Sequence, residues 1–156
     1  MNVLLSELEE HRIYLASDGK EGARFKAYAQ EFYEADFTEH NLSGARFNDC
    51  MLDESGFGDC DGIVFTDCTF RNVDFSGSSI IRGNFRNCVF EKSCFIGSDL
   101  TEASFVNCKF LTTDLTDAEL TGTDMIIVKF TNCRLKCEIS DAKMYEVTIK
   151  SSFPEE

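Results

Sequence analysis

From Phe65 a large apolar residue falls on every fifth position without a gap, in the series Phe65, Phe70, Phe75, Ile80, Phe85, Phe90, Phe95, Leu100, Phe105, Phe110, Leu115, Leu120, Met125, Phe130 and Leu135. Two residues before each stands a mostly small side chain, among them Cys68, Ser78, Gly83, Cys88, Ser98, Ala103, Cys108, Thr113 and Ala118. A five-residue step turns an α-helix through about 500°, so these side chains would sweep every helix face. On a plain strand an odd step would alternate sides. A chain that turns a corner every five residues meets both constraints. The large residue then fills the middle of each inward face and the small one packs inward beside it.

The same motif runs earlier in another register, as Ala35/Phe37, His40/Leu42, Ala45/Phe47, Cys50/Leu52 and Ser55/Phe57, and again at the end, as Cys137/Ile139, Ala142/Met144 and Val147/Ile149. The register breaks near 58–64 and at 136–139 predict a bulge or a distorted corner, and His40 is an outlier at a position that favours small side chains. A longer period of 20 residues supports four sides. Phe70, Phe90, Phe110 and Phe130 form one column, and Cys68, Cys88 and Cys108 form another that ends in Val128. The segments FTDCTF, FRNCVF and FVNCKF start 20 residues apart, whereas FNDCML starts 18 before the first of them. That offset reads either as a corner shortened by two or as an insertion of three.

The units NLSGA, DFSGS, DLTEA and DLTDA, a small residue, any residue, Leu or Phe and then two polar residues, make residues 35 to 149 resemble the pentapeptide-repeat family. The resemblance implies an all-β solenoid: a right-handed quadrilateral β-helix of about six coils with an N-terminal α-helical cap. At strand spacing this is a rod on the order of 28 Å long. The organisation expected is a helical cap over 1–34, the β-helix over 35–150 and a short tail over 151–156.

Solenoid ends expose unpaired backbone and apolar residues, so each needs cover. Leu4, Leu5, Leu8 and Leu15, with Ile13 and Tyr14, form an apolar stripe at helical spacing over 2–16. Asn2 is the candidate cap and Asp18-Gly19 the stop. Residues 23–34, with Phe25, Tyr28, Phe32 and Tyr33, fit either a second short helix or a degenerate first coil. At the far end Phe153 is placed to fold over the last coil; otherwise that end offers a homodimer contact.

Composition narrows the function. Fifteen Lys and Arg face 28 Asp and Glu, a net charge of −13. Such a surface disfavours direct binding to nucleic acid or anionic membranes and attracts a basic partner. The charged start MNVLLSELEEHR does not read as a signal peptide, and no apolar run is long enough to span a membrane. With eight cysteines, this predicts reduced thiols and a cytoplasmic setting. Cys50, Cys68, Cys88, Cys108, Cys133 and Cys137 take the small inward position and read as core; Cys94 reads as partly exposed, and Cys60 lies in a register break. There is no paired spacing for zinc, no Gly-rich phosphate loop and no partner spaced to activate His11 or His40, so no catalytic, metal or cofactor residues are expected.

What is left is a macromolecular binding or scaffolding module whose partner is a protein. The candidate interaction residues are Asp74, Asp99, Asp114, Glu119 and Asp124. The F-x-[ND]-C-x-F segments also resemble those of family members that mimic duplex DNA, bind gyrase-type topoisomerases and protect against quinolones or toxins. The dimerising helix of those members has no counterpart here, and no long loop projects from the coils. A spacer in a secretion or effector system is the third reading. By the 20-residue count, Asp74 and Asp114 fall on one face, Asp99 and Glu119 on the next and Asp124 on the one after, a spread that favours simple solubility.

Overall fold

In the computed structural model, which describes residues 3–150, one helix, Val3–Ala16, precedes a four-sided parallel β-solenoid of about six turns. Each turn stacks on the next through parallel ladders, and four inward columns fill the interior. The first face carries Ala27, Phe47, Phe65, Phe85, Phe105, Met125 and Met144. The second carries Phe32, Leu52, Phe70, Phe90, Phe110, Phe130 and Ile149. Phe37, Phe57, Phe75, Phe95, Leu115 and Leu135 line the third face, and Leu42, Cys60, Ile80, Leu100, Leu120 and Ile139 the fourth.

The rings stack at the strand repeat. Phe70 and Phe90 lie 4.5 Å apart at 8°, and Phe90 and Phe110 lie 4.6 Å apart at 10°. Parallel ladders bring identical residues one strand spacing apart, about 4.8 Å, close to the offset stacking distance of two rings. Phe is therefore the residue that fills a column from coil to coil with little void. The small residue two positions earlier leaves room for its neighbour's ring: Cys68, Cys88 and Cys108 are buried, and each thiol donates to backbone carbonyls, Cys108 to Phe85 at 3.3 Å.

Both register breaks are shortened corners. The Leu42 N–H donates to the Asp59 carbonyl and the Cys60 N–H to the Ser79 carbonyl, so Cys60 stands in the large column only three residues after Phe57. The corner has lost two residues rather than gained three. Gly58 makes this possible, because a Cβ there would lie 2.3 Å from the Thr38 carbonyl oxygen. The second break removes one residue: Glu119 pairs with Glu138, where an unbroken coil would bring residue 139.

The ladder reaches back into 23–34, with Lys26–Tyr28 pairing Arg46–Asn48 and Glu31–Tyr33 pairing Met51–Asp53. This stretch is the degenerate coil of the two sequence alternatives. It exchanges the usual sizes: Phe25 occupies the small position and Ala27 the large one. The Phe25 ring, 5.3 Å from that of Phe47, fills the space Ala27 leaves.

On this coil sits the helix. Leu8 and His11 are buried and Leu4 packs partly against the core, whereas Leu5, assigned to the stripe from the sequence, points to solvent at 54 % exposure. The Phe25 N–H donates to Nδ1 of His11 at 3.0 Å, which satisfies a donor at the end of the ladder. The helix stops in a Schellman arrangement. Gly19 N–H reaches the Tyr14 carbonyl at 2.8 Å and Asp18 N–H the Leu15 carbonyl, with Asp18 itself left-handed at φ 53°. Asn2 and Phe153 lie outside the described residues.

Candidate interaction surface

Function has to be sought on the outward positions, since the inward ones are filled. Each face shows two outward residues per coil, flanking the large inward one, and most corners add a left-handed residue two positions after it. On the fourth face the leading outward positions stack as Asn41, Asp59, Ser79, Asp99, Glu119 and Glu138. Asp61, Glu102 and Asp141 extend this acidic stripe, against which, among the described residues, only Arg82 stands on the same face, paired with Glu102 at 2.8 Å. The pair is well exposed and contributes little to stability.

These carboxylates also hold the corners. Asp99 Oδ1 accepts from the Thr101 N–H at 3.0 Å and from its hydroxyl at 2.6 Å. Asp114 does the same with Thr116, Asp74 accepts from the Ser76 N–H, and Glu119 accepts from the Thr121 hydroxyl. A carboxylate that accepts such bonds favours its ionised form. The hydroxyl and then the N–H of Thr38 accordingly lower the Asp36 pKa, and those of Ser140 lower that of Glu138. The third face is acidic too, with Asp36, Glu39, Asp74, Asp114 and Asp117 facing Arg134 and Lys136 in its last coil.

The other two faces differ. The first mixes signs, with Lys26, Arg46, Arg86 and Lys143 among Asp49, Asp67, Asp124 and Glu146. The second divides along its length. Glu31, Glu34, Asp53 and Glu54 crowd its first two coils, where the field of Glu54 and then Glu34 raises the Tyr33 phenol. Lys92, Lys109, Lys129 and Lys150 take over toward the other end.

Of the five candidates read from the sequence, Asp74 and Asp114 stand on the third face, Asp99 and Glu119 on the fourth and Asp124 on the first. The structure joins Asp99 and Glu119 in one ladder and leaves Asp124 apart from it. Asp59, Asp61, Glu138 and Asp141 belong to that stripe and were missed. Asp59 stands two 20-residue steps before Asp99, with Ser79 between them, and was within reach of counting; Glu138 lies beyond the second break, 19 residues after Glu119, so counting by 20 passes it over.

Among the described residues no three His, Cys, Asp or Glu side chains converge as metal ligands. Burial raises the Cys60 and Cys133 thiols, as it does Cys137. Cys94 is half exposed on the third face, its sulfur 3.0 Å from the Ser76 hydroxyl. No helix of the described chain is long and apolar enough to cross a membrane.

Comparison with known proteins fits this geometry. Residues 63–153 match the family described as Pentapeptide repeat region, and residues 31–61 match Pentapeptide repeats (8 copies). A search of curated proteins finds no match. Among solved structures, the chain is similar to a trypsin-treated variant of QnrB1, a plasmid-mediated fluoroquinolone resistance protein, with a TM-score of 0.70 at 18% identity over 80% of this chain and 70% of that one. A second such variant gives 0.65 at 18% identity, over 80% and 67%. A pentapeptide repeat protein from the Arabidopsis thaliana thylakoid lumen gives 0.33 at 27% identity, over 47% and 56%. The stacked columns, the five-residue corners and the match across most of the solenoid make this chain a member of the pentapeptide-repeat family, folded as its right-handed quadrilateral β-helix.

Proposed function

We propose that the protein is a non-enzymatic binding module that offers its third and fourth faces to a basic surface of another protein. The observation that carries this reading is the acidic ladder of the fourth face, unbroken from Asp99 through Glu119 to Glu138 across the second register break, with Asp59 and Asp61 beyond Ser79. The five acids read from the sequence keep their spread over three faces, but the first and second faces balance their acids with Lys and Arg, so the excess of negative charge falls on the third and fourth. A flat rigid ladder costs little entropy on binding, and its charges sit one strand spacing apart. Free thiols suit the reducing cytoplasm we assign it to. The binding test is calorimetric titration with a Lys/Arg-rich peptide. We expect affinity to fall with salt and to drop about tenfold in a variant combining Asp99→Asn and Glu119→Gln. Unchanged affinity in that variant sinks the reading.

The same concentration of charge favours a second reading, a DNA mimic directed at gyrase. A duplex as long as this solenoid carries about 16 phosphates, and the two acidic faces approach that number. This reading predicts inhibition of supercoiling, or protection of gyrase from a fluoroquinolone. No effect of the purified protein at large molar excess removes it.

We also infer a homodimer through the C-terminal end. There Ile139, Met144 and Ile149 continue the inward columns yet are half exposed, and a second copy would bury them. Light scattering that gives a monomer across the micromolar range refutes it.

A further inference from the structure

The ridge where the first and second faces meet in the fifth and sixth coils combines two features that neither the solenoid nor the acidic stripe explains. The first is Ile127. It stands in the left-handed corner position at φ 56°, where the preceding coils carry Asp49, Asp67, Asn87 and Asn107. Asn and Asp tolerate that conformation, whereas a β-branched residue there is strained. In this column Asn87 donates its side-chain amide to Asp67 at 3.0 Å, and Asn107 donates to Asn87 at 3.0 Å. Ile127 ends the chain of bonds and leaves its own side chain 41% exposed, beside Ile126 at 40% and above Tyr145 at 63%.

The second feature is charge. Lys109 and Lys129 are register partners on adjacent strands, so two like charges are neighbours on one face with no salt bridge to either among the described residues. Like charges so placed repel. An apolar knuckle held at a cost in strain, beside an unneutralised basic pair, is complementary to an acidic chain that carries apolar side chains.

We propose that this ridge docks an acidic protein segment, its carboxylates on Lys109 and Lys129 and an apolar side chain on Ile126 and Ile127. The net negative charge of the molecule does not prevent this, because at physiological salt charges beyond about 8 Å are largely screened. Asp124 borders the first-face side of the ridge and Glu146 holds its corner position in the next coil, in register with Ile127, so both direct the ligand's carboxylates away from themselves toward the second face. The surface lies away from the third and fourth faces, so it stands or falls independently of the function proposed above.

The test uses the full chain and a fluorescein-labelled peptide of repeated Glu-Glu-Leu triplets, read by anisotropy. Saturable, salt-sensitive binding is expected, weaker by about tenfold when Ser replaces Leu in the peptide or when the protein carries Lys129→Glu. Ile127→Asn is the sharper variant. It removes the apolar knuckle and restores the amide ladder, so it should raise the melting temperature by about 2 °C or more while lowering peptide affinity about tenfold. A thermal gain with unchanged affinity overturns the proposal, and so does a melting temperature that does not rise. No saturation by the peptide, or saturation by phosphatidylserine vesicles or duplex DNA in its place, overturns it as well.

Discussion

The two ends of the solenoid expose the same kind of surface, a last ladder and the inner edges of its columns, yet the chain treats them differently. At the first coil every device serves closure. Phe25 and Ala27 exchange sizes, Leu8 comes down on the core, and His11 takes the Phe25 N–H. At the last described coil Ile139, Met144 and Ile149 keep the ordinary pattern and stay half exposed. Closure at the first coil thus goes with a departure from the repeat, and the last described coil, which keeps the repeat, leaves its inward residues half exposed. Stability should follow the same gradient along the rod.

The largest effect is expected in the middle, where each ring has neighbours above and below. Phe90 is fully buried between Phe70 and Phe110. Phe90→Ala should cost about 3–5 kcal/mol, whereas Ile149→Ala, at the open end, should cost no more than about 1 kcal/mol. Denaturant melts of the two variants measure the gap, and equal losses would mean that the open end is in fact covered. At the closed end Leu8→Ala should cost about 2–3 kcal/mol, near the low end for a buried leucine because only one side of it meets the core. Hydrogen exchange should then speed up in the first coil first, with the fifth and sixth coils unchanged.

The interior was legible in the sequence because a parallel ladder repeats one environment at a fixed interval. Phe70, Phe90, Phe110 and the cysteine column beside them could be placed by counting. Counting failed wherever the interval changed. It could not choose between losing two residues and gaining three at 58–64, because the backbone contact of Gly58 with Thr38 that decides the matter is invisible in one dimension. Cys60 looked unassigned for the same reason, although it fills a large inward position. The acidic stripe was read only at Asp99 and Glu119; Glu138 appeared once the second shortened corner was known, whereas Asp59 keeps the 20-residue interval and was hidden by the neutral Ser79 between it and Asp99. His11 was set aside as chemically idle. Nothing about a histidine in an amphipathic helix says that its ring nitrogen will take the first backbone donor of a sheet. Ile127 kept the period and so looked ordinary; only its backbone angle marks it.

His11 provides the finest test of the contrast between the ends. Burial lowers its pKa from the usual value; the Ser43 backbone opposes this, and the nearby Arg24 charge adds to it. Its Nδ1 must stay unprotonated to accept from Phe25, and Nε2 makes no hydrogen bond. A histidine with a depressed folded-state pKa stabilises fully above its unfolded value, about 6.5, and that contribution is lost as pH falls through the folded value. The closed end should therefore loosen on mild acidification while the open end does not. The effect is small, because only the docking of the helix depends on this group. Exchange of the Phe25 and Ala27 amides, followed from pH 7.5 to 5 and corrected for intrinsic rates, should lose protection, whereas that of Met125 and Phe130 should hold. In a His11→Gln variant, whose side-chain oxygen can accept the same bond without titrating, the pH dependence should vanish. If the first coil keeps its protection at pH 5, the histidine is a spacer and closure rests on Leu8 and Phe25 alone.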